Sequence, residues 1–287
     1  KVALVEPAPP APAEARSDVR AYALNAASRA LLESVRAWPE ARQADGGAPP
    51  LVTPVSGMHV WGDDGGEVRF DAERQGLDTL NWIVDVPALE RRLHDAVSFQ
   101  AGIERCTEAP AAALTVVCEG KRSLTRADFG LEFEVRAYPH KAVAARLRTE
   151  RPHEGVARQW FQDGEVMALL PLEGPQGNSV ALVWSVPSQQ ADAWLAQDGQ
   201  ALAAAVQARS GGVLGSLMVE SAAQAWPLEL SRAQRWIART AQGSVALAGD
   251  AAHAMHPLAG QGLNVGLADV AELARVLHGR EYWRDLG

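Results

Sequence analysis

Cysteine, long apolar runs and positive charge are all scarce in this sequence, and each shortage argues against a class of protein. The two cysteines among 287 residues, Cys106 and Cys118, provide neither a disulfide framework nor a cysteine-based metal pattern. No run reaches the roughly 18 apolar residues that a membrane-spanning helix needs, and the first residues do not have the pattern of a signal peptide. We therefore expect a cytoplasmic protein whose contact with a membrane is at most peripheral.

The formal net charge of −8 argues against nucleic acid as the main partner, because phosphate recognition needs a basic surface. Hydrophobic residues make up 47% of the chain and charged residues 22%, as in ordinary globular proteins. A length of 287 residues predicts two domains, or one large α/β unit with an insertion.

Elements of α/β type occupy the first part of the chain. Residues 1–6, KVALVE, form a short apolar run that predicts a buried parallel strand. Helical spacing of apolar residues extends over 19–38, and 58–70 has the pattern of a hairpin around a glycine-rich turn. A second amphipathic helix is predicted from 85 to 97, with Asp85 as its N-cap.

The sequence pattern changes near residue 141. Four strand-like runs separated by turn residues follow, and this spacing favours an antiparallel sheet. After them come one predicted helix over 189–209, extended segments over 214–230 and 233–240, and a buried strand over 244–250. The four runs are 141–149, 155–162, 165–173 and 178–187.

The last strand leads into a glycine-rich segment, LAGDAAHAMHPLAGQGLNVGLADVAEL, at residues 247–273. Asp250 ends the strand, Gly260 and Gly262 follow, and a helical pattern then begins. A helix N-terminus offers unpaired N–H groups and partial positive charge, and glycine lets a ligand approach the backbone. The segment therefore fits a diphosphate or a delocalised anion, with Asp250 placed for a sugar or polyol hydroxyl. A glycine-bearing turn that binds nothing is the alternative, because isolated Gly-x-Gly patterns are weak signals.

Two histidines in this segment raise the question of a metal site. His253 and His256 are three residues apart, but no third ligand of suitable spacing lies near them in the sequence. We therefore predict no metal, and we interpret each histidine as a capping or backbone-bonding side chain.

The stretch GDAAHAMHPLAGQGLNVGLAD resembles the second flavin-binding motif of single-component FAD-dependent aromatic hydroxylases. It is most similar to the branch that hydroxylates the ring of ubiquinone precursors. The resemblance implies that Asp250 binds the ribityl chain of FAD, near the pyrophosphate, and that the segment from Pro257 to Asn264, with Gly260, borders the flavin ring. The helix start, with Gly262, Leu263 and Asn264, would face the pyrimidine edge, where reduced flavin carries negative charge.

Two further segments resemble the same family. CEGKRSLTR is similar to its middle motif, D-G-x-x-S-x-x-R, with Glu119 in place of Asp and Arg126 retained. In the family this motif serves both the flavin diphosphate and the nicotinamide cofactor. KVALVE resembles the strand whose terminal acid, here Glu6, binds the adenosine ribose, and Arg20 matches an arginine that reaches the flavin phosphates. Taken alone, Glu6 is also explained as a capping residue and Arg20 as a solvated side chain.

The resemblance implies an α/β fold in which a Rossmann-like FAD-binding domain, a parallel sheet with helices, is interleaved with an antiparallel-sheet substrate domain. We assign 1–50, 76–130 and 241–287 to the FAD-binding domain, and 51–75 and 131–240 to the substrate domain. The family's first motif, G-x-G-x-x-G, and its C-terminal helices are absent from the sequence. The chain therefore resembles a shortened or incompletely represented member.

In this family the antiparallel sheet covers the flavin and holds the substrate. Trp160, Leu170, Pro171 and Trp184 are therefore candidates for an apolar substrate pocket, with core packing as the alternative for each. Alternation along the strands does not determine which face each residue occupies. The sequence identifies no catalytic base.

The activity implied by the resemblance is hydroxylation of an aromatic ring. NAD(P)H reduces FAD, O₂ forms a flavin C4a-hydroperoxide, and OH passes to an electron-rich phenol, here a polyprenylated phenol of ubiquinone biosynthesis. Such a substrate is compatible with association with a membrane surface or a biosynthetic complex. One alternative is a flavin hydroxylase of a soluble aromatic acid, which needs an Arg or Tyr clamp, although the chain has only three tyrosines. Another is a non-catalytic, flavin-poor subunit that organises a biosynthetic complex.

Overall fold

The computed structural model describes residues 1–6, 18–39, 51–174, 176–241, 243–255 and 260–280. In chain order, the strands are β1 (Val2–Val5), β2 (Ala21–Leu24), β3 (Val52–Val55), β4 (Gly57–Trp61), β5 (Glu67–Asp71), β6 (Asn81–Asp85), β7 (Ile103–Cys106), β8 (Leu114–Val117), β9 (Phe133–Thr149), β10 (Val156–Gln162), β11 (Glu165–Leu172), β12 (Ser179–Pro187), β13 (Leu217–Val219), β14 (Gln224–Ala233), β15 (Ile237–Thr240), β16 (Gly243–Leu247) and β17 (His253–Ala254). The helices are α1 (Ala26–Ser34), α2 (Val86–Ser98), α3 (Leu124–Asp128), α4 (Ser188–Ala196), α5 (Gly199–Arg209) and α6 (Gln261–His278), with short 3₁₀ turns at Glu73–Gln75 and Gly249–Ala251.

The largest sheet has nine strands. Its order is β17-β14-β9-β12-β11-β10-β4-β5, and β13 pairs with β9 beside this path. Neighbours from β9 to β10 run antiparallel, as the segments after residue 141 predict. β4 and β5 form the predicted hairpin, and β4 joins the sheet parallel to β10.

Helices α4 and α5 cover one face of this sheet. Alternate residues along β9 to β12 point to that face because side chains of a strand alternate between its two sides. The buried cluster there includes Leu147, Met167, Leu169, Leu182, Trp184, Leu202 and Val206.

The single helix predicted over 189–209 is wrong, because the structure divides it into α4 and α5. α4 ends at Ala196, and α5 begins at Gly199 after an N-cap at Asp198. The Asp198 carboxylate accepts a hydrogen bond from the Ala201 N–H at 2.9 Å. An acidic N-cap followed by glycine therefore starts a new helix within a stretch whose alanines favour continuous helix.

The helix predicted over 19–38 is also wrong in its first part. Residues 21–24 are β2, which pairs antiparallel with β6. The helix starts at Ala26 because Asn25 is its N-cap and accepts a hydrogen bond from the Ser28 N–H at 2.9 Å. The second predicted helix is confirmed as α2, with Asp85 as its N-cap.

A three-stranded sheet, with the order β2-β6-β3, packs against the second face of the nine-stranded sheet. Arg146 of β9 joins the two sheets. Its guanidinium donates to the carbonyls of Val19 and Arg20 at 2.8 and 2.9 Å and to Asp85 Oδ2 at 2.9 Å. Asp85 thus caps α2 with one oxygen and binds Arg146 with the other.

Two smaller sheets contain the parallel pairs. β1 is parallel to β7, as predicted, but the prediction that it is buried is wrong, because Val2 is 61% and Val5 44% exposed. Within the described ranges β1 pairs with β7 alone, so its apolar side chains lack a covering layer. β16 is parallel to β8, antiparallel to β15 and buried at Val245 and Leu247.

None of the helices in the described residues is both long enough and apolar enough to cross a membrane. The domain boundaries proposed from the sequence stay a prediction.

The two roles of Asp85 can be separated by mutation. Asp85→Asn keeps an oxygen for the Ala88 N–H but removes the negative charge beside Arg146, so we expect a loss of at most about 1 kcal/mol of unfolding free energy. Asp85→Ala removes both contacts, and we expect a loss of about 2 kcal/mol. Urea denaturation of the two variants measures the difference. Equal losses would show that capping of α2 contributes nothing.

Candidate functional site

The segment after β16 is a tight turn held by a carboxylate on α6. Gly249 has a φ of 60°, a left-handed conformation that favours glycine. Its N–H donates to Asp269 Oδ2 at 2.9 Å, and the same oxygen lies 2.7 Å from Nε2 of His253. The His253 ring also lies 4.9 Å from the Trp236 ring. His253 is therefore bound to a side-chain carboxylate rather than to backbone, and His256 lies outside the described residues.

Asp269 is a residue that our sequence analysis missed as a structural anchor. It stands in the quoted motif, eight residues into α6. An acid on the inner side of a helix that follows a glycine turn is a signal that could have identified it.

Glycines of the segment serve two different purposes. A Cβ on Gly266 would lie 3.2 Å from Gly249 Cα, and one on Gly260 would lie 3.3 Å from the Ala23 nitrogen. These two glycines allow α6 to approach the turn and β2 closely. A Cβ on Gly262, in contrast, meets no atom of the described structure within 4 Å. Gly262 therefore borders open space at the start of the helix.

Asn264 fastens the start of α6 to the rest of the molecule. Its side chain is buried, and its Oδ1 accepts from the Asn25 N–H at 2.9 Å and from Ser28 Oγ at 2.7 Å. Its Nδ2 donates to the carbonyls of Ala23 at 2.8 Å and Gly260 at 3.3 Å. Both donors and both acceptor directions of this amide are thus used within the protein.

The neighbouring Leu263 packs against the apolar cluster that contains Leu24 and Leu32. Since the side chains of Leu263 and Asn264 are directed into the protein, only backbone is available to a ligand at this helix start. The free N–H groups are those of the first turn, which include Gly262 and Leu263, because the Asn264 N–H makes the first bond within the helix, to the Gly260 carbonyl.

The N-terminus of α6 favours an anion. Its N-cap is Gly260, which has no side chain to accept from the first N–H groups, and its first turn contains no acidic residue. The helix has 18 residues, so its aligned peptide dipoles place partial positive charge at this end. Asp250 is exposed in the adjoining turn, which contacts α6.

The middle motif is joined to the same turn through Arg126. This buried guanidinium donates to the carbonyl of Ala251 at 2.9 Å and to that of Lys121 at 2.9 Å, and it lies 3.5 Å from the centre of the Phe133 ring. Burial lowers the pKa of Arg126, while the charge of Glu119 opposes that effect. The structure thus brings Arg126 beside the turn of Asp250, where it supports the backbone.

Glu119 caps α3. Its carboxylate accepts from Ser123 Oγ at 2.6 Å, from the Thr125 N–H at 3.2 Å and from the Thr125 hydroxyl. Partial burial acts to raise the pKa of this carboxyl, but these hydrogen bonds and the charge of Arg126 outweigh it and lower the pKa.

Glu6 and Arg20 lie apart from this group. The Glu6 carboxylate follows β1 and is 3.6 Å from Arg105 Nη1. Arg20 pairs with Asp18, which raises the pKa of Arg20 against the effect of burial. Among the described residues, no ion pair or hydrogen bond joins either side chain to the Asp250 turn. Pro257 lies outside the described residues.

The four residues predicted for one substrate pocket do not share a surface. Trp160 and Trp184 are both cross-strand neighbours of Met167, and both lie in the core beneath α4 and α5. Trp160 stacks on Trp61 at 4.9 Å between ring centres. Leu170 is out of phase with these positions and lies on the second face, near the β2-β6-β3 sheet. Pro171 alternates back to the side of the tryptophans.

The second face, rather than the tryptophan side, is therefore the candidate substrate surface. We call its partly exposed section the open face. Its members alternate in phase with Leu170 across neighbouring strands: Met58, Val60, Gln159, Ala168, Leu170 and Val183. Among these residues, only Leu170 was predicted from the sequence. The alternation of side chains along a strand shows that the sheet has two faces, but it does not show which face the helices cover.

The pKa of Glu119 predicts a pH-dependent contribution to stability. A carboxyl whose pKa is lowered by folding stabilises the protein above its unfolded pKa, and this contribution is lost as the pH falls through the folded pKa. Glu119→Gln should therefore lower the melting temperature slightly at pH 7. The difference from the unsubstituted protein should begin to shrink as the pH falls to the ordinary pKa of 4.5 and vanish below the lowered pKa of the folded state. Thermal melts from pH 7 to pH 3 measure this. A difference that is constant over this range would contradict the assignment.

Comparison with known proteins agrees with this arrangement. Residues 94–280 match the family described as FAD binding domain. The ubiquinone hydroxylase UbiL of Rhodospirillum rubrum is 31% identical over 279 residues, which cover 91% of this chain and 62% of that protein. The 3-demethoxyubiquinol 3-hydroxylase of Escherichia coli is 29% identical over 304 residues, which cover 96% of this chain and 73% of that protein. The chain thus spans less than two thirds of the length of UbiL.

Solved structures resemble the fold. The crystal structure of Pseudomonas aeruginosa PqsL in complex with 2-aminobenzoylacetate superposes with a TM-score of 0.74 at 19% identity, over 96% of this chain and 79% of PqsL. Pseudomonas putida p-nitrophenol 4-monooxygenase PnpA gives a TM-score of 0.64 at 15% identity, over 92% of this chain and 71% of PnpA. These structural matches confirm the predicted α/β fold class, and the match to the family described as FAD binding domain confirms FAD as the cofactor. By the match over residues 94–280, the chain belongs to the FAD binding domain family.

Proposed function

We propose that the protein is an FAD-dependent monooxygenase that hydroxylates an aromatic ring, with NAD(P)H and O₂ as co-substrates. The observation that carries this proposal is the start of α6, where Gly262 borders open space next to the exposed Asp250. The proposed substrate is a polyprenylated phenol of ubiquinone biosynthesis, and the support for it comes from relatives that are named ubiquinone hydroxylases.

The residues at the start of α6 fit a flavin. The backbone N–H groups of the first turn, which include Gly262 and Leu263, would face its electron-rich edge, since the helix dipole favours negative charge there. The carboxylate of Asp250 would accept hydrogen bonds from ribityl hydroxyls. Bound FAD would supply the redox and oxygen chemistry, while the protein positions the ring and limits access of water.

The remaining predicted contacts are retained with changed roles. We propose that Arg126 and Glu119 position the turn, since Arg126 binds the Ala251 carbonyl and Glu119 caps α3. Glu6 and Arg20 remain candidates for the adenosine and phosphate end of FAD, because both are partly exposed charged groups near strand ends.

A polyprenylated substrate resides in a membrane, so we propose that the protein works at a membrane surface or within a biosynthetic complex. The competing hypothesis of a non-catalytic, flavin-poor subunit predicts no flavin absorbance at saturating FAD. The visible spectrum therefore separates the two hypotheses.

Gly262→Ala tests the flavin site without damaging the fold. Outside its own helix, the added methyl meets no atom of the described residues within 4 Å. Alanine favours helix over glycine by up to about 1 kcal/mol, so the melting temperature of the flavin-free protein should not fall. The methyl would occupy the space next to the flavin, and we expect the Kd for FAD to rise about tenfold, equivalent to about 1.4 kcal/mol. Titration of apoprotein with FAD measures this.

A matched control is Gly102→Ala, which also adds a methyl in open space but lies far along the chain, before β7. It should leave FAD affinity unchanged. Equal FAD affinity of the Gly262 variant and the unsubstituted protein would refute the placement of the flavin at this helix start.

Activity is tested on the full-length polypeptide loaded with FAD. We expect NAD(P)H oxidation to accelerate when a 2-prenylated phenol is added, and the hydroxylated ring to appear by mass spectrometry with one oxygen atom from ¹⁸O₂. A flavin-loaded protein that oxidises NAD(P)H without forming this product would refute the hydroxylase assignment.

A further inference from the structure

The open face contains a buried amide that the fold leaves without a partner. Gln159 on β10 pairs across the sheet with Val60 of β4 and Ala168 of β11. It is only 5% exposed. No hydrogen bond to its side chain occurs in the part of the chain that the structure describes.

The amide itself is not sealed from the open face, because neither of its polar atoms is among the fully buried side-chain atoms without a partner in the described residues. Its hydrogen-bonding capacity is therefore unused by the fold and accessible from this face, whereas most largely buried polar groups in proteins have a protein partner. Val60 and Ala168 offer none to the side chain of Gln159 because their own side chains are apolar. A polar group of a bound molecule would restore the missing hydrogen bonds.

The surroundings of Gln159 define the chemistry of that molecule. Met58, Leu170 and Val183 of the open face are apolar and partly exposed, so they suit an apolar ring or chain. Arg146 lies in phase on the same face, but its guanidinium is bound to Asp85 and to two carbonyls. It is therefore not available as a clamp for a carboxylate.

Arg148, the next arginine in phase along β9, forms an ion pair with Glu220. Of the three arginines of β9, the two that lie opposite β12, Arg146 and Arg148, are thus already engaged by acidic side chains. A substrate with a neutral polar group fits the face better than an aromatic acid.

We propose that the Gln159 carboxamide hydrogen-bonds the phenolic hydroxyl of a neutral aromatic substrate. An amide donates through its N–H and accepts through its oxygen, and a phenol O–H does the same, so the two groups are complementary. Gln159 does not titrate, so it orients the hydroxyl and leaves its proton in place. This specificity role rests on the proposed function, because it names the substrate group recognised at the same site.

The test compares 2-geranylphenol with its methyl ether, 2-geranylanisole, on the full-length polypeptide. Quenching of tryptophan fluorescence reports binding with or without flavin. Gln159→Met keeps the side-chain length and removes the amide. It should raise the Kd for the phenol about tenfold, the cost of one lost hydrogen bond to a buried group, and leave the Kd for the ether within about twofold.

Gln162→Met is the matched control, since it makes the same substitution on the same strand, at an exposed position on the other face. It should change neither Kd. Equal weakening of both ligands by Gln159→Met would show that the residue contributes packing alone and would overturn the proposal.

Binding of the two ligands to the unsubstituted protein is a second test, and it does not require the variant to fold. The unsubstituted protein should bind the phenol about tenfold more tightly than the ether, and discrimination below about twofold would overturn the assignment of Gln159. If the protein shows no flavin absorbance but still binds the phenol more tightly than the ether, the hydroxylase proposal is refuted and the proposal of a phenol-binding residue stands.

Discussion

Three hydrogen bonds of the Asn264 carboxamide hold the N-terminus of α6 against β2 and the start of α1, and a fourth returns to the carbonyl of the N-cap Gly260. This amide is buried, so each bond is made where water cannot replace it. The position of Gly260 and Gly262, and therefore the direction of the first N–H groups of the helix, depends on it. Asp269 fixes the other side of the same helix by binding the Gly249 N–H. The anion-favouring helix start is thus rigidly attached to two separate parts of the chain.

The large sheet connects this site to a candidate substrate surface. Helices α4 and α5 pack against its first face together with the stacked tryptophans, and this packing makes the sheet rigid. Its second face meets the β2-β6-β3 sheet, where Arg146 binds Asp85. Because β2 also accepts a hydrogen bond from Asn264, the candidate substrate surface and the proposed flavin site share one support. A displacement of β2 would move both.

Much of this arrangement could be predicted from the sequence, and the failures have physical causes. Strand runs after residue 141 and the cap at Asp85 depend on local pattern, so they were predictable. The division of segment 19–38 into a strand and a helix could not be predicted, because residues 21–24 have helical spacing but pair with β6 in the folded protein. Trp160 and Trp184 resembled pocket residues, but which face α4 and α5 cover is a tertiary property. Motif resemblance singled out Asn264, yet its role as an internal clamp depends on contacts with residues more than 230 positions away in sequence.

The central claim is that FAD lies against the backbone N–H groups at the start of α6. Hydrogen–deuterium exchange of the full-length polypeptide, with and without saturating FAD, tests it most directly. We expect slower exchange on FAD addition in the peptide that covers 260–266, with no change in β13, which pairs with β9 and contacts α5. FAD binding that leaves exchange at 260–266 unchanged would contradict this claim.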